Sequence, residues 1–113
     1  MTYARRQKRR VSIDVKFRGA GAATLITGRI TDLSETGLFL ATQKFVPLGK
    51  EIHLEFDLPT GKVEAVGEVR WIARGQVAEQ GLGIRFLRLS AASARAIDLA
   101  IDQSQVLKAP SKV

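Results

Sequence analysis

Cysteine is missing from this 113-residue chain, and histidine occurs only once, as His53. The absence of cysteine excludes disulfides, thiolate nucleophiles and thiolate metal sites. A single histidine excludes a histidine cluster for a metal ion, and no nucleophile–base pair or pair of carboxylates suggests catalysis. We therefore expect no metal site and no enzyme, and we interpret His53 as a surface residue.

Long apolar runs are also missing. No stretch approaches the roughly 20 apolar residues that a membrane helix needs. The basic start is followed by a segment that charges interrupt, so no targeting segment is predicted. Hydrophobic residues make up 45% of the chain, which is enough for a core in one domain of this length. The expectation is a cytoplasmic protein without membrane insertion.

Positive charge is concentrated at one end of the chain. The net charge is +7, and residues 1–10 carry five basic side chains and no acidic one. Nucleic-acid-binding domains usually spread basic residues over a face or along a helix. Concentration at one tip favours a compact anion with several charges, although a basic arm for RNA or single-stranded nucleic acid remains an alternative.

Alternation of apolar and polar residues predicts six short strands. They span residues 11–17, 24–31, 38–41, 51–58, 62–73 and 81–86. A flexible turn is expected at residues 19–22, and a break between strands at residues 32–36. Ser90 is predicted to cap a helix that ends near Gln105. The pattern predicts an all-β fold, a small six-stranded antiparallel β-barrel with a C-terminal α-helix.

A run of basic residues directly precedes the first predicted strand. It contains the arginines Arg5, Arg6, Arg9 and Arg10. Guanidinium groups match phosphate and the O6/N7 edge of guanine, and they stack on aromatic planes. Two arginines four residues apart can therefore clamp a phosphate and a purine together. The alternative is a solvated basic tail.

Three residues at the break between the second and third strands form a second candidate group. Asp32 can accept from the N1 and N2 donors of guanine, a pairing that rejects adenine, and the Ser34 hydroxyl can donate to phosphate or stabilise the turn. Gly37 permits a positive φ or a close backbone approach. The alternative is a plain turn in which Asp32 and Ser34 bond to local amides.

Trp71 is the only tryptophan, near the end of the fifth strand and beside Arg70 and Arg74. Strict alternation places it on the same face as Val69 and other apolar residues of that strand. It can stack on a base or close one end of the barrel as a core residue. The sequence leaves both interpretations open.

Together, the two polar groups resemble the motifs of the PilZ domain family. Arg6 and Arg10 match the R-x-x-x-R motif before the first barrel strand, while Arg5 and Arg9 form an overlapping match that leaves the register open. Asp32-Leu33-Ser34-Glu35-Thr36-Gly37 matches the D/N-x-S-x-x-G motif completely. The resemblance covers about residues 5–105.

The resemblance implies a bacterial receptor for cyclic di-GMP. Arg6 and Arg10, helped by Arg5, would surround phosphates and guanine edges, while Asp32 and Ser34 hold a guanine. Gly37 would allow close approach of the backbone. Trp71 lies where some members of the family place a base-stacking side chain. Members bind one ligand molecule or an intercalated pair, and the sequence does not decide between these.

Three segments are expected. Residues 1–10 form a basic arm, residues 11–105 form the barrel and helix, and residues 106–113 form a flexible tail. The arm is expected to order over the nucleotide and create a surface for a downstream protein partner. The alternatives are a barrel that binds RNA or single-stranded nucleic acid, and a PilZ-like adaptor that binds only proteins. Inward-facing phenylalanines make nucleic acid binding the weaker hypothesis.

Overall fold

The computed structural model describes residues 10–21, 24–74 and 80–108. They form six strands and one helix: β1 Arg10–Gly21, β2 Thr24–Ser34, β3 Gly37–Ala41, β4 Glu51–Leu58, β5 Gly61–Ala73, β6 Gly81–Leu89 and α1 Ala91–Lys108. The strands close into an antiparallel barrel in the order β1-β2-β3-β6-β5-β4. The predicted six-stranded barrel with a C-terminal helix is confirmed.

The β4–β5 hairpin is the most regular part of the barrel. Eight successive residue pairs connect Glu51–Leu58 to β5 without a register shift. Burial alternates without exception along β4, so Ile52, Leu54 and Phe56 enter the core while His53 faces outward, as expected. Alternation in the sequence therefore predicts this hairpin almost residue by residue.

β1 extends beyond its expected end and closes the barrel. Gly19 and Ala20 were predicted to lie in a turn, but they continue the strand and pair with Leu54 and His53 of β4. Gly19 favours this seam because a Cβ there would lie only 2.6 Å from the His53 carbonyl oxygen. The prediction of a turn beginning at residue 19 is wrong, because cross-strand pairing overrides the flexibility of glycine.

β2 also extends further than the sequence indicated. Asp32 and Ser34 were assigned to a break between strands, but both belong to β2, and the turn consists only of Glu35 and Thr36. The ladder to β3 shifts register between Ile30 and Asp32. A bulge lets the strand continue while it changes direction, which explains why this segment looked like a break.

The helix packs against the core of the barrel and is capped by Ser90, as predicted. The Ser93 amide donates to the Ser90 hydroxyl at 3.1 Å. The Ser93 hydroxyl accepts from the Glu64 amide at 3.0 Å and donates to its carbonyl at 3.2 Å, which fixes the helix to β5. Ile97 and Ile101 are buried. The helix continues to Lys108, so its expected end near Gln105 is wrong.

Within the part of the chain that the structure describes, no helix has the length and apolar character needed to span a bilayer. The division into arm, barrel and tail stays a prediction, since residues 1–9 and 109–113 lie outside the described ranges.

Candidate functional site

Four of the predicted site residues meet at one cleft. Its volume is about 450 Å³. Its lining comprises Asp32, Leu33, Ser34, Thr36, Gly37, Leu38, Phe39, Arg70, Trp71, Gly83, Ile84 and Arg85. The folded chain therefore brings Trp71 from β5 to the D-x-S-x-x-G segment at the β2–β3 turn, because β3 and β5 both flank β6.

Ser34 organises the turn beneath the cleft. Its side chain is only 7% exposed. The hydroxyl oxygen accepts from the amides of Thr36 and Gly37 at 3.2 Å each, and the hydroxyl can donate to the Gly37 carbonyl at 3.3 Å. The Phe86 amide of β6 also donates to the Thr36 carbonyl at 2.8 Å. Ser34 is thus a turn-stabilising residue, and the Glu35–Thr36 turn is held from both sides.

Gly37 lets two strands approach closely. It pairs with Arg85 across the β3–β6 ladder, and a Cβ at position 37 would collide with the Ile84 carbonyl oxygen. Positive φ angles occur among the described glycines at Gly49 and Gly61. Of the two roles considered from the sequence, the close approach is therefore the one observed, and the neighbour is β6.

Asp32 stands at the cleft with its carboxylate available. Its side chain is half-buried, between the bulges in the β1–β2 and β2–β3 ladders. Within residues 10–21, 24–74 and 80–108, it makes no hydrogen bond or ion pair. Unlike Ser34, Asp32 therefore does not stabilise the local turn, so the plain-turn interpretation fails for this residue.

Trp71 is a surface residue and does not belong to the core. A register shift between Val69 and Trp71 inserts Arg70 as an extra residue in β5, which reverses the alternation and turns the indole outward. The side chain is 53% exposed and stacks on Phe39, with ring centroids 5.3 Å apart. The core interpretation, and the shared face with Val69, are therefore wrong.

Glycines of β6 make room for the stacked rings of Trp71 and Phe39. Gly83 lies opposite Trp71 in the β5–β6 ladder, and a Cβ there would overlap the indole ring. Gly81 supports Phe39 in the same way, since a Cβ would lie 2.6 Å from the ring. The two glycines of β6 thus leave a flat backbone surface, on which the rings of Phe39 and Trp71 pack beside the cleft.

Two guanidinium groups add positive charge to the cleft wall. Arg70 contacts the Glu68 carboxylate at 3.2 Å, and both side chains are partly exposed. Arg85 is exposed and lies on β6, directly opposite Gly37 of β3. The cleft therefore offers cations, one carboxylate acceptor and an aromatic surface, a combination suited to binding a nucleotide.

β1 enters the barrel beside this cleft. Arg10 is the residue paired with Ser34, and Ser12 is paired with Asp32. The last residue of the arginine motif, Arg10, therefore lies next to the second motif in the β1–β2 ladder. Arg5, Arg6 and Arg9 lie outside the described residues, and their binding role stays a prediction.

Sequence reasoning did not select Phe39, Gly83 or Arg85 as site residues. All three occupy outward positions on β3 or β6, where alternation suggests only solvent exposure. A signal was present in the alternating pair of glycines at the start of β6, since glycine within a strand often marks a close approach. The outward direction of Trp71, which packs on Gly83, was not predicted because the bulge reverses the alternation in β5.

Among the residues that the structure describes, no group of three or more His, Cys, Asp and Glu side chains is arranged to hold a metal ion.

Comparison with known proteins gives one family match. The model of the PilZ domain matches residues 4–103. Among curated proteins, none matches the chain significantly.

Solved structures show the same fold. MotI/DgrA, an inhibitor of motility from Bacillus subtilis, has a TM-score of 0.79 at 18% identity, over 93% of this chain and 53% of that chain. The PilZ domain of YcgR from Escherichia coli with c-di-GMP has a TM-score of 0.70 at 20% identity, over 96% and 99%. YcgR in complex with c-di-GMP has a TM-score of 0.73 at 21% identity, over 96% and 49%. The chain thus spans about half the length of MotI and of the longer YcgR chain.

Proposed function

The chain belongs to the PilZ domain family, a family of cyclic di-GMP receptors, and on that premise we propose that it binds cyclic di-GMP at the cleft beside the β2–β3 turn. The protein acts by binding in the bacterial cytoplasm and catalyses no reaction. Its output is a contact with a downstream protein partner.

The observation that carries the proposal is the convergence of two distant sequence segments on one cleft. The end of β2 supplies Asp32, and β5 supplies Trp71, which a bulge turns outward. The family match alone does not say which residues of this barrel could hold a guanine. The available carboxylate next to an exposed indole is what gives this particular barrel the chemistry for a guanine.

Each cleft residue has a role that follows from its surroundings. The Asp32 carboxylate accepts from the N1 and N2 donors of guanine, a pairing that adenine lacks. Trp71, backed by Phe39, stacks on the base. Ser34 acts indirectly, because its hydroxyl is occupied in stabilising the turn that positions Asp32. Gly37 keeps the turn close to β6.

The arginine arm completes the site from the β1 side. Arg6 and Arg10, with Arg5 and Arg9 nearby in sequence, bind the phosphates and guanine edges. Five basic residues without an acid repel one another, and two ligand phosphates remove that repulsion. Ligand binding therefore orders the arm over the cleft and creates the surface that the partner recognises.

Titration calorimetry with cyclic di-GMP tests the proposal. The wild-type protein is expected to bind with a micromolar or lower Kd. Arg10→Ala removes charge-assisted hydrogen bonds, so its binding free energy falls by about 1.5–3 kcal/mol. Lys16→Ala is the matched control, since Lys16 is an exposed cation on the same strand but outside the cleft lining. It is expected to bind like the wild type.

Two further ligands separate this function from its alternatives. Cyclic di-AMP has the same phosphates but lacks the guanine donors, so it is expected to bind much more weakly. Salt-dependent binding to generic RNA without binding to the cyclic dinucleotide would instead identify a nucleic-acid-binding barrel. Failure to bind any of these ligands would leave a protein-binding adaptor.

Amide hydrogen exchange tests the ordering of the arm separately. Residues 1–12 are expected to gain protection when cyclic di-GMP is added, while the β4–β5 hairpin does not change. Equal protection with and without ligand would reject the ordering mechanism and leave the binding proposal intact.

A further inference from the structure

Arg85 occupies a position on the cleft wall that the sequence motifs do not include. It lies on β6, directly across the β3–β6 ladder from Gly37, and it lines the same cleft as Asp32 and Trp71. Its side chain is exposed. The register thus carries a guanidinium to the last residue of the D-x-S-x-x-G segment from a strand 48 positions further along the chain.

The two arginines of the cleft wall differ in their surroundings. Arg70 is held by the Glu68 carboxylate at 3.2 Å, so part of its charge is compensated within the protein. The Arg85 side chain makes no hydrogen bond or ion pair with any residue in the described ranges. Glu68 lies opposite Arg85 in the β5–β6 ladder, yet Arg70 is the arginine that it contacts. Arg85 is therefore the arginine of the cleft wall whose guanidinium has no ion-pair partner among the described residues.

Arg85 and the start of β1 lie on opposite sides of the end of β2. Arg10 pairs with Ser34 on the β1 side of β2, and Arg85 pairs with Gly37 on the β6 side of β3. Around the barrel the order is β1, β2, β3, β6, so the segment with Asp32 and Ser34 lies between β1 and Arg85. Arg85 therefore supplies a cation on the side of Asp32 that faces away from β1.

We propose that Arg85 binds one phosphate of the cyclic dinucleotide from the barrel wall. The inference rests on the proposed function of the same cleft. It adds a cation carried by a barrel strand to the residues of the two sequence motifs.

Calorimetry on three variants of the full chain tests the role of Arg85. Arg85→Ala is expected to weaken cyclic di-GMP binding about tenfold or more, because a hydrogen bond to a charged group is lost. Arg85→Lys keeps the charge and is expected to recover part of the affinity, although ammonium lacks the planar fork of donors. Arg88→Ala is the matched control, since Arg88 is an exposed arginine of the same strand outside the cleft.

Salt dependence distinguishes a phosphate contact from an indirect structural effect. Binding by Arg85→Ala is expected to depend less on salt than binding by the wild type, since one ion pair with the ligand is missing. Thermal unfolding of the variant is expected to match the wild type, because the exposed Arg85 side chain makes no hydrogen bond or ion pair within the described residues. A structural role would lower the unfolding temperature and leave the salt dependence unchanged.

The outcomes separate this inference from the proposed function. If the wild type does not bind cyclic di-GMP, the function fails and the role of Arg85 fails with it. If the wild type binds and Arg10→Ala is impaired while Arg85→Ala binds normally, only the role of Arg85 is refuted. An equal loss for Arg85→Ala and Arg88→Ala would also refute it, since general surface charge would then explain both.

Discussion

The β4–β5 hairpin and the cleft between β2, β3, β6 and β5 are built from the same kind of strand, yet they obey the pairing rules differently. The hairpin keeps one register over its whole length and buries every second residue. Around the cleft, register shifts occur in three ladders, at Asp32 on both sides of β2 and at Trp71 in β5. Regular pairing stabilises the barrel, and irregular pairing turns side chains toward the cleft.

This comparison predicts that stability and binding can be impaired separately. The largest effect is expected in the regular hairpin, where Ile52 is fully buried. Ile52→Ala leaves a cavity and should lower the free energy of unfolding by about 2–5 kcal/mol, measured by urea denaturation. Its exposed neighbour Glu51 provides the control, since Glu51→Ala should change stability by less than about 0.5 kcal/mol. Cyclic di-GMP affinity of the folded Ile52→Ala protein should be unchanged.

Asp32→Asn should show the reverse pattern. The substitution removes the carboxylate charge and replaces one acceptor oxygen by a donor, so the binding free energy should fall by about 1.5–3 kcal/mol. Stability should change by less than about 0.5 kcal/mol, because the Asp32 side chain makes no hydrogen bond or ion pair within the described residues. Asp57→Asn on the regular hairpin should affect neither property. A large loss of stability in Asp32→Asn would break the separation between the two regions.

Trp71→Ala should weaken binding by about 1–3 kcal/mol, the usual contribution of a base-stacking aromatic residue. The effect on unfolding should be small, since the indole is half-exposed and packs on the backbone of β6 at Gly83. Tryptophan fluorescence gives a direct measurement in the wild type, because Trp71 is the only tryptophan. Ligand that stacks on the indole should change its emission, whereas unchanged emission at saturation would contradict stacking.

The smallest effect is expected at the exposed Lys62–Glu55 pair of the regular hairpin, where the atoms are 2.9 Å apart. The hydrogen bond from Lys62 lowers the pKa of Glu55, and the same bond raises the pKa of Lys62. The Glu55 contribution is present above its unfolded-state pKa and is lost as pH falls through the lowered value. The Lys62 contribution is present below its unfolded-state pKa and is lost as pH rises through the raised value.

Lys62→Ala should therefore lower Tm only slightly, and only between those two limits. The difference from the wild type should disappear in about 1 M salt, because exposed ion pairs are screened. A difference that persists in salt, or at acidic pH, would show that Lys62 stabilises the hairpin by packing.

The same contrast explains which parts of the structure the sequence predicted correctly. Alternation predicted β4 and its core residues because no register shift interrupts its pairing with β5. It failed at Trp71, because one inserted residue reverses every inward and outward position that follows it. It shortened β1, because the pairing of Gly19 with Leu54 is imposed by closure of the barrel and leaves no local signal.

The motifs predicted other features of the structure than the periodicity did. The D-x-S-x-x-G spacing located the turn and its cleft, although it could not tell that Ser34 is occupied by local amides while Asp32 is available. The position of Arg85 at the cleft was not predicted, since it depends on which residue faces Gly37 across two strands that are distant in sequence.

The pairing of Arg10 with Ser34 sets a tether length for the segment that precedes it. An extended chain spans about 3.3–3.6 Å per residue, so the four residues before that anchor span at most about 14 Å. Three strand spacings around the barrel wall amount to about the same distance. The covalent length of the chain therefore permits the proposed contact of Arg6 with a nucleotide anywhere across the mouth of the cleft.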